Sequence, residues 1–389
     1  MPKISASYIF DPIQGMLEDH YLEFEPDGKI VALAPLDRAS RLDLKQYEGV
    51  LLPGFVNAHC HLELSFMKKQ VPEGTGMTAF IGEVFSKRLS FTDTEKIEAV
   101  HEEMQSLWEA GTVAVGDICN TQHSLPAKIK YRDIFTHSFI ELIGLDLGRI
   151  EPELNKGQAL ITEFETEGLQ VSMSPHAPYS MSSELIREIF RQQPSRVSIH
   201  ILESKEEREL FENGSGPFLH FYRQLNLPYL GFSSKSPLDH VLQEMSHHQA
   251  VIFVHATEMT EEEIQRITHL FPQAYFCLCP RSNKYIHNTY PQVSSFTKFT
   301  NQICLGTDSL ASNHDLNVFE EAKCVHKISP EVPLEELLNW LTLQGAIALG
   351  IDDRWGSFLV GQRPGINLIK DLDLLERQLR EGSFVEKIC

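Results

Sequence analysis

The chain has 389 residues, 42% of them apolar, and carries 34 Lys and Arg against 54 Asp and Glu, for a net charge of −20. That balance argues against nonspecific binding to nucleic acid or to an anionic membrane, since both need basic patches. There is no apolar run of the roughly 18 residues that a membrane helix needs, and the N-terminus MPKISASYIFDP lacks the regions of a signal peptide.

Seven scattered cysteines do not make a disulfide framework, so a reducing cytoplasm is the simplest expectation. The length suits two or three domains, or one α/β barrel of ~250 residues with a small appendage.

Residues 1–50 read as short strands and turns. Ile4–Phe10 is one candidate strand and Tyr21–Phe24 another. Pro26-Asp27-Gly28 is a turn into a third, Gly28–Leu33. From Val50 the pattern changes to strand, loop, helix. The apolar run Val50–Val56 ends at Asn57-Ala58-His59-Cys60-His61. Thr92-x-x-Glu95 opens an amphipathic helix that stops at Gly111.

Further strand candidates begin near residues 112, 135, 169, 196, 250, 274 and 302, making eight with the first. Helices are expected over 151–168, 182–192, 316–327 and 333–349. Two more follow the caps Ser204-x-x-Glu207 and Thr260-x-x-Glu263. Near-continuous apolar strands alternating with helices imply a parallel sheet covered on both sides, and eight such units suggest a (β/α)8 TIM barrel. The strand in Gly361–Lys370 is expected to rejoin the N-terminal strands. The small domain, a β-sandwich, would then comprise residues 1–50 and 356–389, with the barrel over 51–355. The long gaps, about 62–92 and 204–249, read as active-site loops and short helices.

In a barrel of this kind the polar residues at strand C-termini carry the chemistry. On a strand, His59 and His61 at i and i+2 share one face, a half-site for a transition metal unless they are two ordinary strand-end histidines. Strand four runs into Ser174-Pro175-His176. Strand five ends in His200, with Glu203 three residues on, and strand six ends in His255. Strand seven runs into Cys279-Pro280-Arg281-Ser282-Asn283, and strand eight into Thr307-Asp308-Ser309.

In this order PGFVNAHCH, SPHAPYS, HILES, VHATE, CPRSN and GTDSLASN resemble the amidohydrolase superfamily. The nearest resemblance is to its cytosine and S-adenosylhomocysteine deaminase branch, which includes the aminodeoxyfutalosine deaminases. It covers about residues 2–370. It implies that His59, His61, His200 and Asp308 bind one divalent metal, Zn²⁺ ahead of Fe²⁺. It implies Glu203 as proton shuttle, and His255 and Asp308 beside the attacking water. Leu169–His176 contains no lysine to bridge two metals, so a dinuclear site is not expected.

His176 matches a substrate-contacting position. Arg281 is expected either to bind a substrate anion through a bidentate pair or to form a salt bridge that holds the loop. Asn283, Ser309 and Asn313 either meet substrate or pack loops. Phe66, Phe80 and Phe85 either cover a substrate ring or form the core of a loop helix.

The implied activity is hydrolytic removal of an exocyclic ring amine from a small heterocycle, with an adenine-bearing compound such as aminodeoxyfutalosine preferred. S-adenosylhomocysteine, methylthioadenosine, guanine, cytosine or pterin deamination, a triazine-type chlorohydrolase and a catalytically silent scaffold are the alternatives. A homodimer is compatible with the sequence. No P-loop, G-x-S-x-G or dinucleotide fingerprint is present.

Overall fold

The computed structural model describes residues 1–38, 43–227, 229, 231–232 and 234–389. Eight parallel strands form its centre, in two four-stranded sheets. One holds β1 (Phe55–Cys60), β2 (Thr112–Cys119), β3 (Phe135–Leu142) and β4 (Gln170–Pro175). The other holds β5 (Val197–Ile201), β6 (Val251–His255), β7 (Ala274–Leu278) and β8 (Ile303–Leu305). β2, β5, β6 and β7 are buried along their whole length, as their continuous apolar runs require.

The sheets are bonded to each other at both edges. Between β4 and β5, His200 N–H donates to His176 O at 2.9 Å and Ser198 N–H to Ser174 Oγ at 3.1 Å. On the other side, Thr307 N–H donates to His59 O at 2.9 Å, and Asn57 Nδ2 donates to Thr307 Oγ1 at 2.7 Å.

The run Val50–Val56 is two strands rather than one. Val50–Pro53 pairs antiparallel with Ile366–Lys370, while Phe55–Cys60 pairs with β2. The break falls at Gly54, where a Cβ would lie 2.3 Å from Val113 Cγ1 and 2.7 Å from Pro364 O. Ile4–Phe10 also divides, into Lys3–Ser5 and Tyr8–Asp11 in different sheets. Strands from both ends of the chain therefore meet. They form a five-stranded sheet and a four-stranded one, whose facing side chains include Ile4, Ile9, Leu22, Leu51 and Leu368.

The caps act as the residue types predict. Thr92 with Glu95 and Thr260 with Glu263 each form a reciprocal capping box. Ser204 caps the helix Lys205–Asn213, but Glu207 turns its carboxylate to Glu203 N–H at 3.1 Å instead of closing the box. The span 333–349 is two helices, Leu334–Leu341 and Leu343–Leu349. They part at Thr342, whose hydroxyl donates to Leu338 O at 2.7 Å. Among the described residues no helix is long and apolar enough to cross a membrane.

Candidate active site

The strand ends bring His59, His61, His200 and Asp308 together, with one ligand-capable atom of each within 4.8 Å of the others. His59 ends β1 inside the strand. His61 lies just past it, at the start of the turn Leu62–Met67. Asp308 Oδ1 faces His61 Nε2 at 3.3 Å and His59 Nε2 at 3.6 Å, and His61 Nε2 lies 3.2 Å from His200 Nε2. Asp308 Oδ2 is turned away and accepts from the hydroxyls of Ser282 and Ser312.

His200 donates through Nδ1 to His176 O at 3.0 Å, so its Nε2 lone pair points into the cluster. Both ring nitrogens of His59 are buried without a hydrogen-bond partner. Orphaned imidazole nitrogens beside a carboxylate are what a divalent cation would satisfy, so the donor set fits one metal ion.

Burial keeps the imidazoles of His61, His200 and His255 neutral, the form that ligates. His61 and His255 are held well below the ordinary range, and His200 falls to about 4. Burial by itself would raise the Asp308 carboxyl, but the imidazoles of His59, His61 and His255 beside it hold it well below the usual range.

Glu203 follows β5 and is 4% exposed. Burial pushes its carboxyl well above the ordinary value, helped by Asp308 and Glu207. Its Oε1 lies 3.6 Å from His255 Nε2 and 3.9 Å from His287 Nε2. Leu202, His255 and Asp308 hold left-handed backbone at φ +47°, +67° and +59°, which costs of order 1–3 kcal/mol each at a non-glycine residue and aims the chain at the ends of β5, β6 and β8.

A cavity of about 140 Å³ opens on this cluster, lined by His61, His176, His200, Glu203, His255, Asp308 and Ser309 among others. His176 donates through Nδ1 to Ser180 Oγ at 2.6 Å, because that hydroxyl spends its own proton on Ala177 O. His176 Nε2 is thereby left as an acceptor. Phe80 and Phe85 also line the cavity, whereas Phe66 packs on Phe91.

Arg281 and Asn283, which the sequence leaves open between meeting substrate and holding loops, both make loop contacts. Arg281 does not line the cavity. Its guanidinium grips Asp315 through two bonds of 2.7 and 2.9 Å, and its backbone N–H donates to Glu321 Oε2 at 3.0 Å. Asn283 is fully buried behind His255 and donates through Nδ2 to His255 Nδ1 at 3.3 Å. That contact leaves the His255 proton on Nε2, facing Glu203. Asn313 likewise packs loops, donating to Thr307 O and Glu321 Oε1.

Glu63, Glu141 and Arg88 line the cavity without having been singled out in the sequence. Burial raises Glu63 to about 7 and Glu141 to about 8. Glu63 lies two residues past His61, and Glu141 next to last in β3, so their positions at strand ends were the available signal.

Residues 50–386 match the amidohydrolase family. An aminodeoxyfutalosine deaminase of Nitratiruptor is 29% identical over 92% of this chain and 88% of its own length. An adenosine deaminase of Helicobacter pylori is 27% identical over 87% and 84%. Among solved structures, the H. pylori aminofutalosine deaminase bound to methylthio-coformycin superposes with a TM-score of 0.80 at 24% identity, covering 96% of this chain and 93% of that one. The fold is thus the mixed α/β, TIM-barrel type of these enzymes. Matching over most of its length and sharing that fold, the chain belongs to the amidohydrolase family.

Proposed function

We propose that this enzyme is a metal-dependent hydrolytic deaminase of an adenine-bearing nucleoside, with aminodeoxyfutalosine as the preferred candidate. The observation that carries the reading is the convergence of His59, His61, His200 and Asp308 within 4.8 Å, with the Glu203 carboxylate beside it. The two relatives act, by their names, on aminodeoxyfutalosine and adenosine, which bear the same purine amine.

On this reading the two central sheets close as a (β/α)8 barrel over residues 51–355. Residues 1–50 and 356–389 form a small β-sandwich domain, with the enzyme in the cytoplasm. His59, His61, His200 and Asp308 hold a single divalent ion, Zn²⁺ ahead of Fe²⁺ because three imidazoles and a carboxylate suit a four-coordinate site. Such an ion would supply Lewis acidity, which brings the pKa of a water down to about 7.

Glu203 accepts a proton from the attacking water and passes it to the ring nitrogen. It then delivers the second proton to the leaving amine, so that amine plus water become carbonyl oxygen plus ammonia. His255, held by Asn283 with its proton on Nε2, would donate to the attacking oxygen. His176 Nε2 accepts from the substrate, and Ser309 lies at the same wall.

The test is ammonia release across adenine nucleosides, guanine, cytosine and pterins, with metal content measured on the same preparation. Release from adenine nucleosides alone is expected. Release only from guanine, cytosine or pterins overturns the adenine assignment, and release from none overturns the deaminase reading.

A further inference from the structure

Two imidazoles face Glu203. His255 Nε2 lies 3.6 Å from its Oε1, and His287 Nε2 lies 3.9 Å from the same oxygen. His255 lines the reaction cavity together with Glu203, whereas His287 does not. His287 therefore meets the carboxylate and not the substrate.

His287 is the last residue of the helix Pro280–His287, which follows β7. Backbone bonds fix the chain on both sides of it. Gly74 and Gly76 N–H donate to Tyr285 O and Ile286 O at 2.7 and 3.0 Å, and the Tyr285 hydroxyl donates to Val71 O at 2.6 Å. Asn288 takes left-handed backbone at φ +56° and returns its N–H to Lys284 O at 2.9 Å. The end of the helix is thus tied to the loop that follows β1.

The His287 side chain is 10% exposed, and its Nε2 is buried without a hydrogen-bond partner. Burial lowers its pKa to about 4, so the ring is neutral and carries one proton. A lone pair on Nε2 would repel the Glu203 carboxylate, whereas a proton there is drawn to it, so the proton sits on Nε2. Unpaired buried donors are uncommon in folded proteins, and the group this one faces is the proposed proton shuttle.

We propose that His287 is a positioning residue for that shuttle: its Nε2–H donates to Glu203 Oε1 throughout the reaction, which leaves Oε2 as the oxygen that takes and gives the proton. The proposal rests on the shuttle role of Glu203 in the deaminase reading. Oε1 accepts both as half of a carboxylate and as the carbonyl oxygen of the acid formed when Oε2 is protonated. One donor on Oε1 serves both states without changing its own tautomer. His287 exchanges no proton: water gives one to Oε2, and Oε2 passes it to the ring nitrogen. His255 also carries its proton on Nε2 and faces the same oxygen. With His287 holding Oε1, the His255 proton is free to turn to the attacking oxygen. Both gaps exceed a hydrogen bond by about 1 Å or less, and catalytic contacts of this kind tighten once substrate is in place.

The test uses zinc-loaded protein, with adenosine and 5′-methylthioadenosine as substrates and single-turnover rates as the readout. His287→Phe keeps a ring without a donor, and His287→Gln presents an N–H near the Nε2 position. Each is made in the wild type and in Glu203→Gln. His287→Phe should slow the wild-type rate about 10-fold or more, the size of a hydrogen bond to a charged group, with nucleoside affinity and metal content unchanged. His287→Gln should recover most of that loss. In Glu203→Gln, His287→Phe should change the rate less than about twofold, because no shuttle is left to position. Nitrogen NMR of protein labelled at histidine reads the tautomer without turnover. The His287 signals, assigned by their loss in His287→Phe, should show the Nε2–H form and should move in Glu203→Gln.

A wild-type rate in His287→Phe, an equal loss in both backgrounds, a loss that His287→Gln does not relieve, or an Nδ1–H tautomer overturns the proposal. If no nucleoside releases ammonia but the Nε2–H form and its response to Glu203→Gln are found, the His287–Glu203 contact stands and the deaminase reading falls. Ammonia release with His287 in the Nδ1–H form is the reverse result.

Discussion

Lys128 Nζ lies 2.6 Å from Asp117 Oδ2, and neither side chain reaches solvent. Burial by itself would lower the ammonium, but Asp117 and Cys119 more than offset it, and the Lys128 pKa lies above its ordinary value. The remaining lysine protons go to Ser138 Oγ at 2.8 Å and Cys119 Sγ at 3.2 Å, so the buried charge is fully partnered. Asp117 Oδ1 meanwhile accepts the N–H of Leu62 at 2.7 Å. Leu62 directly follows His61, so the ion pair pins the turn that carries a proposed metal ligand.

Lys128→Met should therefore cost about 3–5 kcal/mol, the range for stranding one partner of a buried pair, and should also weaken metal binding. Asp117→Asn together with Lys128→Met should recover much of the loss, since Asn can still accept from Leu62 N–H. Thermal melts and metal competition against a chelator measure both effects. A single Lys128→Met variant with unchanged Tm and metal affinity would contradict this account.

The proposed metal centre predicts one equivalent of divalent ion per chain. Stripping the ion should lower Tm, because a ligand at about 1,000 times its Kd stabilises the folded state by about 4 kcal/mol. His59→Gln and Asp308→Asn should each abolish stoichiometric binding. Two equivalents in the wild type, or a full equivalent retained by either variant, would refute the single four-ligand site.

Glu203→Gln should keep the metal and lose most turnover. Gln has nearly the shape of Glu and cannot move a proton, and general acid–base help is worth ~10²–10⁴-fold. The loss should fall on kcat more than on KM, since the proton moves in the transition state. Steady-state kinetics with chemistry rate-limiting would decide it, and wild-type kcat in the variant would remove Glu203 from the shuttle role.

Much of this site was legible because its chemistry lies at strand ends. His59, His61, His200, His255 and Asp308 end or closely follow apolar runs whose β character is strong, so the barrel reading put them at one end of the strands, while their grouping as one site came from the resemblance. The contacts of Asn283 and Arg281 were not legible in the same way. Each depends on which side chain of another loop packs behind it, and Asp315 and Glu321 stand 34 and 40 positions from Arg281. Glu63 and Glu141 share the favourable position but sit among apolar neighbours, where a carboxylate gives no periodic signal. The break at Gly54 was hidden because it depends on the close approach of Val113 and Pro364, which local sequence does not encode.

Arg281 yields the prediction that most directly separates holding a loop from holding a ligand. Its guanidinium is 17% exposed and bonded to Asp315, and it lies 3.8 Å from the fully buried Glu321. Glu321 in turn accepts from Asn313 Nδ2, which also bonds Thr307 O, one residue before Asp308. Arg281→Met should thus disturb the β8 loop as a whole. It should lower kcat/KM by the same factor for a carboxylated and a neutral adenine nucleoside. A loss confined to the carboxylated substrate would restore Arg281 as an anion reader.

Stability provides a second readout. Burial raises Glu321 from 4.5 to about 8, with Arg281 the first influence opposing that rise. A carboxyl raised in the folded state stabilises it fully below pH 4.5, and that contribution is lost as pH climbs through about 8. Removing Arg281 raises the folded value further and extends the loss. The Tm deficit of Arg281→Met against wild type should therefore be larger at pH 8 than at pH 5. A deficit independent of pH would mean that the guanidinium acts on Asp315 alone.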